Sequence, residues 1–428
     1  MIATTLGLLL GLLAAGLPVA AALGVLALAL DGLFAPVPLT LAMGEIAWNT
    51  GKDFLLVAIP LFVLLGEILL RAGVAERMYA ALSLWLARLP GGLMHANIAA
   101  CALFAATSGS SVATAATIGT VALPQAKTFG YDEKLFAGSL AAGGTLGILI
   151  PPSINIILYA VLTDTSIPRL YLAALIPGVL LAAGFMLVVA LSARRNAPPS
   201  VVGSATGRRE RLASLFHLLP PVFVFLLVVG SIYVGWATPT EAASLGVIGA
   251  LLLAALAGRL TPTMLARALE STIKTTTMIL LIVIAAAILN FVLSAIGLTR
   301  QLTAAITELG LSPWAMFVAM VLFYLVLGCF METLSMMITT VPVVVPVMVA
   351  AGFDPVWLGV VIIVLVEAAL ITPPVGLNLF VVQSLRPGGR IEEVIRGVLP
   401  FLLAMLAMIA LLALLPELAL WLPRRAMG

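Results

Sequence analysis

Two parts of the chain concentrate the residue types that hold small, hard ligands. The first supplies Ser108-Gly109-Ser110-Ser111 and then Gly143-Gly144-Thr145-Leu146-Gly147, shortly before Pro151-Pro152. The second supplies Gly328, Glu332 and Thr333, and then Glu367, Ala369 and Thr372 directly before Pro373-Pro374. Hydroxyls, carboxylates and backbone carbonyls released near glycine and proline are hard oxygen donors, a set that suits Na+ by analogy with other hard cations. Catalytic signals are weak. Ser271-x-x-Lys274 has a hydrolase-like spacing, yet it stands at a helix entrance beside Thr275, Thr276 and Thr277, with no general base or oxyanion context. His95 and His217 lie far apart at loop–helix junctions, and Cys101 and Cys329 sit in separate apolar runs. They offer neither a metal pair nor a disulfide framework. Nothing argues for an enzyme or for a nucleic-acid partner.

The elements that must position these oxygens lie in lipid. Hydrophobic residues make up 63% of the 428 positions and charged residues only 9%, with a mean hydropathy of +1.24. A soluble chain of this length could not hide that much apolar surface, so the reading is an all-α polytopic membrane protein. The first apolar run begins near Ile2 without a cleavable signal pattern and is expected to be a retained helix. Runs long enough to span, about 20 residues each, fall near 5–30, 53–70, 133–160, 168–192, 216–235, 241–258, 274–296, 355–384 and 396–422. Segments 93–126 and 313–348 are apolar but interrupted centrally by Ser, Gly, Thr and Glu. Such interruptions are tolerated at membrane depth only when buried in protein, so both are expected to be re-entrant hairpins. Trp48, Trp85, Trp236 and Trp421 fit interfacial anchors, and Glu67 and Arg71, spaced i, i+4, fit a local ion pair.

The two oxygen-rich regions repeat. Pro151-Pro152 and Pro373-Pro374 are offset by 222 residues, and the same offset relates Gly130 and Asp132 of "GYD" to Gly352 and Asp354 of "GFD", and Pro124 to Pro346. The chain then divides into a first repeat at 1–192, an Arg-rich linker at 193–215, an unpaired connecting helix at 216–240 and a second repeat at 241–428. Helix 241–258 would answer to 5–30. Each repeat holds one hairpin (93–126, 313–348) and one broken helix (133–160, 355–384). With hairpins that do not cross, an odd number of crossings separates the repeats and inverts the second. An N-terminus in the cytoplasm and a C-terminus in the periplasm follow. All 21 Lys and Arg except Lys52, Arg169, Arg300, Arg424 and Arg425 then fall in cytoplasmic loops, as the positive-inside rule requires.

This arrangement gives the double prolines a purpose. Proline in a helix removes a hydrogen bond and clashes with the preceding turn. In secondary transporters built from inverted repeats, broken helices meet near the bilayer midplane, their unwound carbonyls coordinating cations and their half-helix N-termini facing anions. Close helix packing alone would also account for Gly143-x-x-x-Gly147, but not for the duplicated hairpin and break. The offset also shows where the repeats differ: Ser110 aligns with Glu332, and Thr145 with Glu367. A carboxylate at membrane depth is a functional hypothesis by default, so Glu332 and Glu367 are expected to tune a cation site.

"TSGSSVATAATIGTVALP", "GTLGILIPPSINIILYAV", "ATPTEAA" and "ITPPVGLNLFVV", with "GYD" and "GFD" between them, resemble the large membrane subunit (M subunit) of TRAP, tripartite ATP-independent periplasmic, transporters. The resemblance runs nearly the length of the chain. It implies a Na+-driven, elevator-type importer of organic acids in the bacterial inner membrane. The implied partners are a small membrane subunit (Q type), expected as a separate chain, and a periplasmic binding protein (P type). Ala369 departs from the family pattern, where glycine is expected before the second break. On the twofold repeat, two Na+ sites are expected. One would use Ser108, Gly109, Ser111, Gly144 and Gly147. The other would use Gly328, Glu332, Thr333, Glu367, Ala369 and Thr372. Substrate would lie between them near Ser110, Thr145, Ser153, Asn155, Thr372 and Asn378. A stand-alone carrier of the divalent-anion/sodium symporter type and a non-transporting membrane scaffold are the alternatives.

Overall fold

The computed structural model describes residues 1–193, 208–298, 301, 311–328 and 331–427, leaving aside the side chains at 2, 6, 13, 14, 106–108 and 208. Most of the linker, Cys329 and the Ser108 side chain lie outside the described residues. The described chain is helical throughout. Among the described residues, seven helices are long and apolar enough to cross a membrane, or eight if the bent pair Glu133–Leu149 and Ile154–Thr163 is one span.

Helix starts follow from local chemistry. The "GYD" and "GFD" landmarks serve as helix entrances in both halves: Gly130 (φ 65°) and Gly352 (φ 97°) adopt the left-handed conformation that glycine accepts without strain. Two residues on, Asp132 accepts from the Lys134 amide at 3.0 Å, and Asp354 from the amides of Val356 and Trp357. These caps satisfy donors that a helix start leaves open. Thr238 and Glu241 form a reciprocal capping box ahead of the Pro239–Leu256 helix.

The first hairpin packs arms Leu93–Ser108 and Ser111–Thr128 about Gly109 (φ 61°). The first broken helix has halves Glu133–Leu149 and Ile154–Thr163, bent by 44° across Pro151-Pro152. The second hairpin has arms Pro313–Leu327 and Thr333–Ala350, and the second broken helix has halves Pro355–Ala369 and Leu377–Ser384. The first half of each broken helix is buried all round, over Phe136–Leu149 and Trp357–Ala369, and is apolar apart from Ser139, Thr145 and Glu367. These two half-helices form the centre of the bundle, packed against each other and against the Ile391–Leu414 helix.

Within lipid, association depends on close packing and interhelical hydrogen bonds rather than on hydrophobic exclusion. The Glu133–Leu149 helix shows both. A Cβ on Gly138 would lie 2.2 Å from the Gly397 carbonyl, so only paired glycines permit this crossing. On its other side Tyr79 donates to Asn97 (2.8 Å), which donates to Ser139 (2.9 Å), all buried. At one end Arg386 donates to Glu133 (2.9 Å) and Glu393 (2.8 Å), joining the second broken helix to the first repeat. Burial works against the Arg386 charge, but the two carboxylates outweigh it and raise its pKa above the usual guanidinium value.

Two expected spans divide. The 5–30 run forms helices Ile2–Ala14 and Val19–Phe34, because Gly16 (φ 75°) and Pro18 end one helix and start the next. The 396–422 run forms Ile391–Leu414 and Glu417–Met427, broken at Leu415-Pro416. Two further helices, Thr40–Gly51 and Val74–Leu86, fall outside the expected spans.

Candidate functional site

A cavity of ≈ 260 Å³ lies where the hairpin tips meet the first break. Three helix N-termini converge on it. Ser110 starts the Ser111–Thr128 arm, accepting from the Ala113 amide at 3.3 Å; Ser153 starts the Ile154–Thr163 half-helix, accepting from the Ile156 amide at 3.4 Å; Glu332 starts the Thr333–Ala350 arm, accepting from the Ser335 amide at 3.2 Å. Helix N-termini carry partial positive charge and free amides, which favour an anionic group. Ser110 and Glu332, matched by the repeat offset, thus hold the same i to i+3 capping role.

Of the residues singled out in the sequence, Gly109, Ser110, Ser111, Asn155, Glu332 and Thr333 line this cavity. Asn155 is 1% exposed, and its Nδ2 is buried without a hydrogen-bond partner. The first tip and first break are in direct contact: a Cβ on Gly147 would lie 3.0 Å from the backbone of Ser110 and Ser111, and one on Gly144 3.1 Å from the Ser111 carbonyl. At the second tip, a Cβ on Gly328 would fall 1.9 Å from that of Ala369. Glycine at 328 and alanine at 369 are complementary, which accounts for the small residue tolerated before the second break.

Four side chains sit elsewhere than the simple twofold scheme places them. Glu367 belongs to the second broken helix, yet its Oε2 accepts from the Ser111 hydroxyl at 2.6 Å, in the first repeat. Asn378, fully buried, crosses the same way: its Nδ2 donates to the Ala141 carbonyl at 3.2 Å beside Gly144. Thr145 is buried with its hydroxyl on the Ala142 carbonyl (2.6 Å) and against Met405, away from the cavity. Thr372 donates to the Ala368 carbonyl (2.7 Å). Neither threonine lines the cavity.

Glu367 Oε1 and Asn378 Oδ1 are buried oxygens with no hydrogen-bond partner. Each such atom costs free energy unless something meets it. Among the described residues no three His, Cys, Asp or Glu side chains come together. A cation held here would therefore rest on mixed carboxylate, amide, hydroxyl and carbonyl oxygens, the donor set of a hard ion. The residues present fit Na+ in that chemical sense.

The far wall of the cavity comes from two helices outside the hairpin units, Ala58–Arg71 and Pro262–Ala295. They contribute Val63, Glu67, Thr275 and Ile279 among others. Glu67 is ion-paired with Arg71, as its spacing predicts, and Ser271 donates to Glu67 Oε1 at 2.7 Å. The Ser271-x-x-Lys274 spacing therefore separates two contacts, since Lys274 pairs with Glu270 (2.6 Å). The available signal for Glu67 was a carboxylate inside an apolar run. Its explanation as a helix-end ion pair concealed the cavity it faces.

An all-helical bundle with seven helices long and apolar enough to cross a membrane among its described residues, and a partly polar cavity at its helix breaks, is that of a multi-pass membrane protein. The chain matches the family model described as "Tripartite ATP-independent periplasmic transporter, DctM component" over residues 6–418, and it belongs to that family. It is 35% identical to the C4-dicarboxylate TRAP transporter large permease protein DctM of Pseudomonas aeruginosa, covering 88% of each chain. It is 31% identical to the sialic acid TRAP transporter large permease protein SiaM of Vibrio cholerae, over 98% of this chain and 97% of that one. In fold it is similar to the Alcanivorax borkumensis YdaH transporter, with a TM-score of 0.59, 17% identity and coverage of 94% and 96%. These relatives by sequence are permease subunits, not enzymes; the chain is a TRAP transport subunit and a multi-pass inner-membrane protein. A tripartite family implies partner components.

Proposed function

We propose that the chain is the carrier subunit of a Na+-coupled importer that moves an organic acid received from a periplasmic binding protein, with a small membrane subunit as its partner. The observation that carries this reading is the meeting of both hairpin tips and the first break at one cavity, with the orphaned oxygens of Glu367 and Asn378 buried behind it. The helix N-termini headed by Ser110 and Ser153 would hold the substrate carboxylate. A bound Na+ would supply positive charge beside it and so favour loading of an anion. Ser111, Glu367 and Asn378, with carbonyls near Gly144 and Gly147, would hold one ion; oxygens around Gly328, Glu332, Thr333 and Ala369 would hold a second.

In the same reading the hairpins (93–126, 313–348) and broken helices (133–160, 355–384) move as one unit against a scaffold built mainly from 5–30, 53–70, 216–235, 241–258 and 274–296. The hairpins are re-entrant, the repeats are inverted, and the N-terminus is cytoplasmic. The relatives transport C4-dicarboxylates and sialic acid by their names, so the substrate class is a carboxylate-bearing solute. Uptake into proteoliposomes holding the membrane complex tests this directly. Uptake should require an inward Na+ gradient and loaded binding protein together. Uptake that persists without Na+, or without binding protein, would overturn the coupling and the tripartite assignment respectively.

A further inference from the structure

The cavity wall contributed by the lateral helices has a chemistry that the first tip and the first break lack. Glu67 lies on it, while Glu332, at the second tip, has its oxygens taken by Thr333 and Ser335 of its own arm; among the described residues no lysine, arginine or histidine lines the cavity. Arg71 matches the charge of Glu67, and Ser271 fixes its second oxygen. Each carboxylate oxygen of Glu67 has used one acceptor position, and each keeps another. On the tip side, the buried and unpartnered Nδ2 of Asn155 stands beside the N-termini headed by Ser110 and Ser153, ready to donate to an acceptor. The cavity is therefore polarised: donors on the first tip and break, acceptors on the lateral wall.

We propose that Glu67, held by Ser271 and Arg71, reads the end of the substrate opposite its carboxylate, and that the transported solute is a monocarboxylate bearing hydroxyl or ammonium donors there rather than a dianionic dicarboxylate. A second carboxylate at that end would set acceptors against the free acceptor positions of Glu67, whose charge Arg71 already matches, and among the described residues no lysine, arginine or histidine lines the cavity to meet it. A hydroxyl or ammonium group instead completes the free acceptor positions of Glu67, and a site built to meet donors rejects an analogue that lacks them. The inference rests on the transport reading above and assigns a specificity role to a residue outside the hairpin–break units.

The test uses the purified membrane complex in Na+ buffer without binding protein, so that the specificity of that partner does not enter. Thermal stabilisation is titrated with gluconate, a polyhydroxylated monocarboxylate, and with succinate, a dicarboxylate. Gluconate should stabilise saturably, with a half-effect concentration at least about tenfold below that of succinate. Glu67→Gln should raise the gluconate value about tenfold and narrow the gap to succinate, because an amide there donates as well as accepts. Glu67→Asp, which keeps the charge, should preserve the rejection of succinate and serves if the Gln variant does not fold. Equal stabilisation by the two acids, stronger stabilisation by succinate, stabilisation by neither, or equal changes for both in Glu67→Gln would overturn the proposal. Uptake by the complete system keeps the two readings apart: Na+-driven uptake with indifference to Glu67 defeats this inference alone, whereas absent Na+-driven uptake defeats the reading beneath it.

Discussion

At the first hairpin tip, Ser110 caps the following arm while the neighbouring Ser111 reaches across the molecule to Glu367. At the second tip, Glu332 caps the following arm, and its oxygens are taken by Thr333 and Ser335 of that same arm. The backbone plan is shared: left-handed glycine, aspartate cap, interrupted helix, double proline. The side chains divide the work unequally. The first unit receives polar groups from both repeats, since Glu367 and Asn378 both cross into it. The second is closed largely by packing, with Gly328 seated on Ala369. A repeat can thus duplicate a framework while concentrating its buried polar chemistry on one side.

The largest effect expected from this asymmetry is steric. Gly328→Ala would place a methyl 1.9 Å from the Ala369 Cβ, an overlap that should cost about 1–3 kcal/mol and abolish most uptake. Ala369→Gly in the same chain should restore much of both, read as thermal stability and initial uptake rate. Gly147→Ala is the counterpart at the first tip. Its new methyl meets the backbone of Ser110 and Ser111 rather than a side chain, so no single second substitution should rescue it. Rescue of both, or of neither, would erase the contrast between the two units.

A smaller and more symmetric effect is expected at the caps. Ser110→Ala and Glu332→Ala each remove an N-cap acceptor, a loss of about 1 kcal/mol, and should lower the melting temperature by similar amounts. Markedly unequal shifts would mean that one of the two does more than cap its helix. The smallest effect belongs to Thr145→Val. The Thr145 hydroxyl bonds only within its own helix and against Met405, so uptake should change by less than about twofold. A large loss would return Thr145 to the substrate path.

Much of the framework was legible in the sequence because it is written in local chemistry. Glycine and aspartate at a helix entrance, polar residues interrupting an apolar arm, and prolines ahead of a break act within a few residues of themselves. The offset of 222 residues paired Ser110 with Glu332 as hydroxyl and carboxylate, and the structure gives both the same capping role. Facing was not legible. Periodicity places Glu367 and Asn378 on a helix near a break, but which repeat they touch depends on how the two half-helices rotate against each other. That rotation is set by contacts distant in sequence, such as Gly138 on Gly397. Glu67 was hidden differently, because a complete local explanation, its pair with Arg71, left no visible reason to seek another. The division of 5–30 was written in Gly16 and Pro18, but a continuous apolar window outweighed it.

The proposed Na+ coupling rests most on the crossing between repeats, where the Ser111 hydroxyl donates to Glu367 and the two are proposed to act as one cation-holding group. A double-mutant cycle on Na+-dependent uptake measures that link. Ser111→Ala, Glu367→Gln and the double variant are compared by the Na+ concentration giving half-maximal rate. Coupled residues should give a double variant little worse than the poorer single one, an interaction of at least about 0.5 kcal/mol. Additive shifts, with each substitution acting as though the other residue were absent, would contradict a shared site.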